Sequence, residues 1–312
     1  GRTEGAPGGA ASGGGTASAG GVAGGALGGL EAAHPALRPE VILAAIGTLD
    51  GDQVNRAGQL LAGIPPSLRK AAHEPFGAEA LVIALLLADR KTDTAGKPEA
   101  AIFPAWLRNK MEPNMADYSA KLLAELRDGD REWFLPLIEL ALPTLRHMSE
   151  QQYRTFRDTI HSIIMEDEQV SLFEFVLEKL VVHQLDAAFS PIAEPKIRHY
   201  HLKTLSTEIS VLLSAMAHAS GSDTRQAWDA GIGSISKVVP DGVTLLDENE
   251  CTPVRLDPVL DEIAASASPV KKYILTALIH SITVDNRVSV EERELLRAIS
   301  ETIDTPIPLG VL

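Results

Sequence analysis

Two stretches of this sequence carry the same set of groups able to do chemistry. Asp167-Glu-Gln-Val170-Ser171-Leu-Phe-Glu174 and Asp285-Asn-Arg-Val288-Ser289-Val-Glu-Glu292 both read D-x-x-V-S-x-x-E, and each follows an Ile-His-Ser-Ile tetrapeptide, at 160–163 and 279–282. Carboxylate oxygens gathered at a turn are hard ligands for a hard cation. On that reading Asp167, Glu174, Asp285 and Glu292 are the candidate metal ligands, with Glu166, Glu168 and Glu291 beside them. The same spacing has a structural reading. A serine at the N-cap accepts from the amide three residues on, the glutamate there reaches back to the serine amide, and an apolar residue before the cap serves as a hydrophobic staple. Asp167 and Asp285 then close the turns. Neither stretch has the calcium-loop spacing, with glycine at the sixth position and a bidentate glutamate at the twelfth, so the capping reading leads.

Other groups lack the company that catalysis needs. His73-Glu74 runs into Pro75-Phe-Gly77 rather than a second histidine, so no H-E-x-x-H zinc helix forms there. There is no G-x-S-x-G elbow and no phosphate-binding glycine loop after a strand, and Gly231-Ile-Gly233 lacks both the third glycine and the setting. His199-Tyr-His201 offers two imidazoles without an acidic or thiolate partner at ligand spacing. His161 and His280 read as helix-end histidines, and Cys251, the single cysteine, can close no internal disulfide. No catalytic or cofactor-binding residue is expected in the chain.

The elements that position these groups are helical throughout. Residues 1–29 hold 13 of the 25 glycines, with Ala, Ser and Thr, so 1–33 reads as a flexible, disordered linker. Helices are expected from Pro39, over a short stretch to His73, and over 78–90, where Leu81–Ala88 is apolar on most faces and belongs at the centre of a core. Further helices are expected near 116–127 and 131–147, with Pro136 and Pro143 breaking or kinking the latter. Ser149-Glu-Gln-Gln152 has capping-box form and starts a helix to Met165. After Ser190–Pro195, helices recur near 203–219, 223–237, 256–265, 269–283 and 289–303, with a turn and a short extended piece over 240–249. The expected fold is an all-α, multi-helix array of about a dozen helices in two lobes, 34–190 and 191–312. With 42 acidic against 28 basic residues, the formal net charge of −14 repels nucleic acid and anionic lipid. The longest apolar run is far short of the roughly 20 residues that cross a bilayer.

Particular phrases carry a resemblance: His34-Pro35, Leu60-Leu-Ala-Gly-Ile-Pro-Pro-Ser-Leu-Arg-Lys-Ala-Ala-His73, Pro75-Phe-Gly-Ala-Glu-Ala-Leu-Val-Ile-Ala-Leu-Leu-Leu87, Leu137–Arg146, Tyr153–Phe156, Val170–Phe175 and Asn286–Ile299. Together they resemble the region that follows the protease domain in large bacterial HtpX-like zinc metallopeptidases. The two D-x-x-V-S-x-x-E units also look like TerB-like helical modules, although Glu168 and Asn286 stand where glycine often follows the aspartate. The resemblance implies a parent with membrane helices and a zinc-bearing H-E-x-x-H site upstream of Gly1. In it this chain is a non-catalytic scaffold, regulatory or substrate-presenting region at the cytoplasmic face of the inner membrane. Its partners would be the parent's own catalytic domain or protein substrates, and zinc would belong to the parent. The alternative is a stand-alone TerB-like module for protein interaction or cation sensing.

Overall fold

A computed structural model of the chain describes residues 38–46, 51–90, 103–166, 170–189, 196–220 and 223–308. The Gly-rich stretch 1–33, the loop 91–98 and the boundary read at 190–195 lie outside the described residues. What is described is all-helical. Its α-helices are α1 (Pro39–Ala45), α2 (Gly51–Gly63), α3 (Pro66–His73), α4 (Pro75–Asp89), α5 (Ala105–Arg108), α6 (Pro113–Arg127), α7 (Phe134–Leu145), α8 (Glu150–Ile164), α9 (Leu172–Phe189), α10 (Ser206–Ala219), α11 (Thr224–Ser234), α12 (Pro253–Ala264), α13 (Ser268–Ile282) and α14 (Val290–Thr302). Among the described residues, the only trace of β pairing is an isolated bridge between His199 and Ser266.

The core divides into two apolar clusters, each built round one helix that is apolar on nearly all faces. In α4 the buried residues run unbroken from Ala80 to Leu87, and in α10 from Ile209 to Ala217. A helix of that kind has no solvent face to offer and must be wrapped. α3, α6, α7, α8 and α9 pack round α4, while α11, α12, α13 and α14 pack round α10. The first cluster takes its residues from Ile64 to Leu185 together with Ala298. The second takes Phe175 and residues from Leu202 to Ile307, and it also draws in Ile42 and Ala45, because α1 lies against α13. α9 and α14 pack on each other and form the seam between the clusters.

Several local rules explain the element boundaries. α3 and α4 meet at a bend of 119°, with Pro66 and Pro75 opening them in positions where a missing amide is harmless. The corner demands Gly77, since a Cβ there would lie 2.5 Å from the Ala71 carbonyl oxygen. No single helix among the described residues is long and apolar enough to cross a membrane.

The break expected at Pro136 and Pro143 does not occur. Residues 131–133 form a separate 3₁₀ turn capped by Asp130, and α7 starts only at Phe134. Pro136 therefore falls in the first turn, where amides have no intrahelical partner, and Pro143 sits close enough to the end for the helix to run through it.

The 240–249 segment turns at Gly242, with φ at +84°, and then runs extended beside α10. Ser210 Oγ accepts from the Thr244 amide at 3.1 Å, Ser214 Oγ accepts from the Leu246 amide at 2.9 Å, and His218 Nε2 lies 2.9 Å from the Leu246 carbonyl oxygen. Residues 210, 214 and 218 share one helix face at a spacing of four. They satisfy backbone groups that a neighbouring strand would otherwise have to meet.

Candidate functional site

The two repeated turns fold as clasps. At the start of α9, Ser171 Oγ accepts from the Glu174 amide at 3.0 Å and Glu174 Oε2 accepts from the Ser171 amide at 2.9 Å. At the start of α14 the same pair of bonds joins Ser289 and Glu292, at 3.0 and 2.7 Å. Both glutamates are buried, and Val170 and Val288 pack against the core as staples.

Each box also grips the C-terminal end of its central helix. Ser171 Oγ donates to Asp89 Oδ2 at 2.7 Å. Arg90 Nε donates to Glu174 Oε1 at 3.0 Å, and the same guanidinium reaches Glu166 and the Ile163 carbonyl. In the second copy Ser289 Oγ donates to the Ala219 carbonyl at 3.3 Å, and the Ser220 hydroxyl bonds Glu292. Thus α4, α8 and α9 correspond to α10, α13 and α14. In each trio a buried central helix is locked at its last residues to the cap that follows an Ile-His-Ser-Ile helix.

This geometry states what the candidate ligands do. Asp167 and Glu168 lie outside the described residues. Glu174 and Glu166 face Arg90, so a guanidinium occupies the position that a cation would take in the first turn. Asp285 Oδ1 accepts from the Arg287 amide at 2.9 Å, and between them Asn286 holds φ of 61°. That is the left-handed conformation which glycine adopts freely and asparagine tolerates. Burial pushes the Glu292 carboxyl above its usual range, while the Ser289 and Ser220 bonds pull it back. Among the described residues, no three His, Cys, Asp or Glu side chains converge as a metal-binding group. Ser171→Ala and Ser289→Ala should each cost about 0.5–2 kcal/mol through the lost cap, visible as a lower urea midpoint with an unchanged slope.

Of the remaining candidates, His199 and His280 are engaged. His199 lies 2.9 Å from Thr204 Oγ1 through Nδ1 and 2.9 Å from Glu262 Oε2 through Nε2. Those contacts hold the loop before α10 against α12, and the histidine together with Arg198 keeps the Glu262 carboxyl below its ordinary range. His201 is exposed and does not join it. His161 is exposed at the end of α8, and His280 Nδ1 lies 2.9 Å from the Thr276 carbonyl of its own helix. Burial raises the Cys251 thiol to about 11, which leaves it protonated and unreactive at neutral pH.

Sequence reasoning missed the charged seam. Arg131 joins Asp89 Oδ1 at 3.0 Å and Glu294, through Nη2 to Oε2 at 3.1 Å and through Nη1 to Oε1. Its guanidinium also lies over the rings of Phe134 and Phe173, 4.4 and 4.1 Å from their centroids. Because Asp89 also accepts from Ser171, one chain of contacts runs from the first clasp to α14. A groove beside it is lined by Leu135, Pro136, Glu139, Val290, Arg293 and Arg297, among others. There Arg297 stands between Glu139 and Glu301, at 2.7 and 3.2 Å. Burial pushes both Glu139 and Glu294 up to about 7 against the pull of their arginines. The nearest hint in the sequence is the Glu291-Glu-Arg-Glu294 run, which reads most simply as a solvated helix face.

No family model, curated protein or solved structure matches the chain.

Proposed function

We propose that this chain is a non-catalytic helical scaffold, the regulatory or substrate-presenting C-terminal region of an HtpX-like membrane zinc metalloendopeptidase. The observation that supports this reading is the use made of the chemistry-bearing residues. Ser171, Glu174, Ser289 and Glu292 bind helix to helix, and Arg90 takes the carboxylates that a cation would need. Side chains so engaged build a rigid surface rather than a reaction centre. The rival, a stand-alone TerB-like cation sensor, requires carboxylates ready to turn to an ion, and in the first turn Glu166 and Glu174 are both already turned to Arg90.

In this reading the zinc, its H-E-x-x-H helix and the membrane spans belong to the parent upstream, at the cytoplasmic face of the bacterial inner membrane. The partner is the parent's catalytic domain or its protein substrate. A net charge of −14 favours a basic or neutral protein surface over nucleic acid or anionic lipid. The test is deletion of residues 34–312 from the parent. Cleavage of a short peptide by the catalytic domain should persist while turnover of a folded membrane-protein substrate falls. Full retention of protein turnover and substrate range would overturn the proposal. The 312-residue chain supplied with zinc should leave casein intact, and zinc-dependent, chelator-sensitive cleavage that co-purifies with it would do the same damage.

A further inference from the structure

We propose that the Glu139–Arg297–Glu301 cluster, which bridges α7 to α14 across the groove beside the α9–α14 seam, is a proton-operated clamp, which tightens when Glu139 carries a proton and loosens when Glu139 ionises. The geometry rests on one guanidinium serving two carboxylates from different helices. Arg297 Nη2 is 3.2 Å from Glu301 Oε1, one turn along its own helix, and the other Glu301 oxygen accepts from Gln184 Nε2 of α9 at 2.6 Å. Glu301 is therefore fixed from two sides. Glu139 Oε1 approaches Arg297 Nε to 2.7 Å but without hydrogen-bond alignment, and Arg297 Nη1 is buried with no hydrogen-bond partner. The trio thus holds one negative charge more than its arginine can neutralise, and although the Glu139 side chain is 20% exposed, Glu139 Oε1 and Arg297 Nε and Nη1 are shut off from solvent. A single proton on Glu139 removes that surplus.

The charges acting on Glu139 are Arg297 and Glu301, both from α14. The same groove holds Arg131 and Glu132 from the turn before α7, and Arg293 and Glu294 from α14. α4 contributes Asp89, which pairs with Arg131, and α9 contributes Gln184.

The sign of the pH dependence follows from the direction of the shift. Burial first, and Glu301 after it, raise Glu139 from 4.5 to about 7 even though Arg297 pulls it down. Between those values the closed clamp holds a proton that the opened clamp releases. Closure is therefore strongest at the acid end of the window, weakens as pH rises through it, and levels off above the upper value. An ordinary surface salt bridge behaves in the opposite way. Glu294, also raised to about 7, adds in the same direction.

Amide exchange of the 312-residue chain, corrected for intrinsic rates and run from about pH 5 to about pH 7.5, tests the clamp. Opening of α7 and α14 should rise with pH by up to about tenfold per unit for each proton released. Glu139→Gln should flatten that slope by about one proton, leaving the part due to Glu294. Equal slopes in the two proteins, or pH-independent protection in the wild type, would overturn the proposal. Should Glu139→Gln not fold, Glu301→Gln supplies the second arm. Removing the competing charge should move the upper limit of the window to lower pH, and an unmoved limit would overturn the clamp equally.

Discussion

At about pH 8.5, where Glu294 is ionised above its raised value of about 7, Arg131→Met should destabilise the chain by about 3 kcal/mol, among the largest effects of any surface-accessible change. The size comes from what the guanidinium leaves behind. Glu294 is buried and depends on Arg131 for its charge partner, while Asp89 would keep only its bond from Ser171. Removing one member of a buried ionic group strands the other, which is far costlier than losing an exposed pair. The stack on Phe134 and Phe173 is lost as well, although methionine restores part of the packing. A double variant, Arg131→Met with Glu294→Gln, should recover much of the loss, because it removes the stranded charge as well. Urea unfolding of the two single variants and the double variant measures that coupling. A double variant as unstable as the sum of the singles would show that the pair does not act as a unit.

The second large effect is expected at the centre of the first cluster. Leu85 on α4 is fully buried, and Leu85→Ala should cost about 2–5 kcal/mol in transfer and cavity terms. The helix is wrapped on all sides, so no neighbour can swing in from solvent to fill the space. By contrast, Val254→Ala at the exposed start of α12 should change stability by less than about 0.5 kcal/mol, since Val254 is 76% exposed. Chemical denaturation of both variants checks the contrast, and a near-neutral Leu85→Ala would mean that α4 is not the keystone of its cluster.

What the sequence disclosed and what it hid separate by range. A capping box is written within four residues, so the boxes at Ser149, Ser171 and Ser289 could be read directly, and so could the buried helix over Leu81–Ala88. The duplicated turns were legible for the same reason. Arg131 and Glu294 are 163 residues apart, and nothing local in either stretch announces the other. α7 was misread in part because proline was weighed without its position. Once the preceding 3₁₀ turn is known, Pro136 falls where the helix needs no amide. The pinning of the 244–246 segment had a usable signal that went unread: Ser210, Ser214 and His218 form a polar stripe at spacing four on an otherwise apolar helix. The grip of each cap on the end of its central helix had none, because Asp89-Arg90 and Ala219-Ser220 share no residue type.

The central claim is that the repeated acidic turns are clasps closed by the protein's own groups. Thermal unfolding of the 312-residue chain under titration with calcium, magnesium and zinc tests it most directly, with Ser289→Ala and Asp285→Asn run alongside. Asparagine keeps the acceptor that Asp285 offers the Arg287 amide, so Asp285→Asn removes charge while sparing the turn. The expected result is a melting temperature that no cation raises, a clear drop for Ser289→Ala and little change for Asp285→Asn. A cation that raises the melting temperature of the wild type, and loses that effect in Asp285→Asn, would contradict the clasp reading and restore the turns as an ion site.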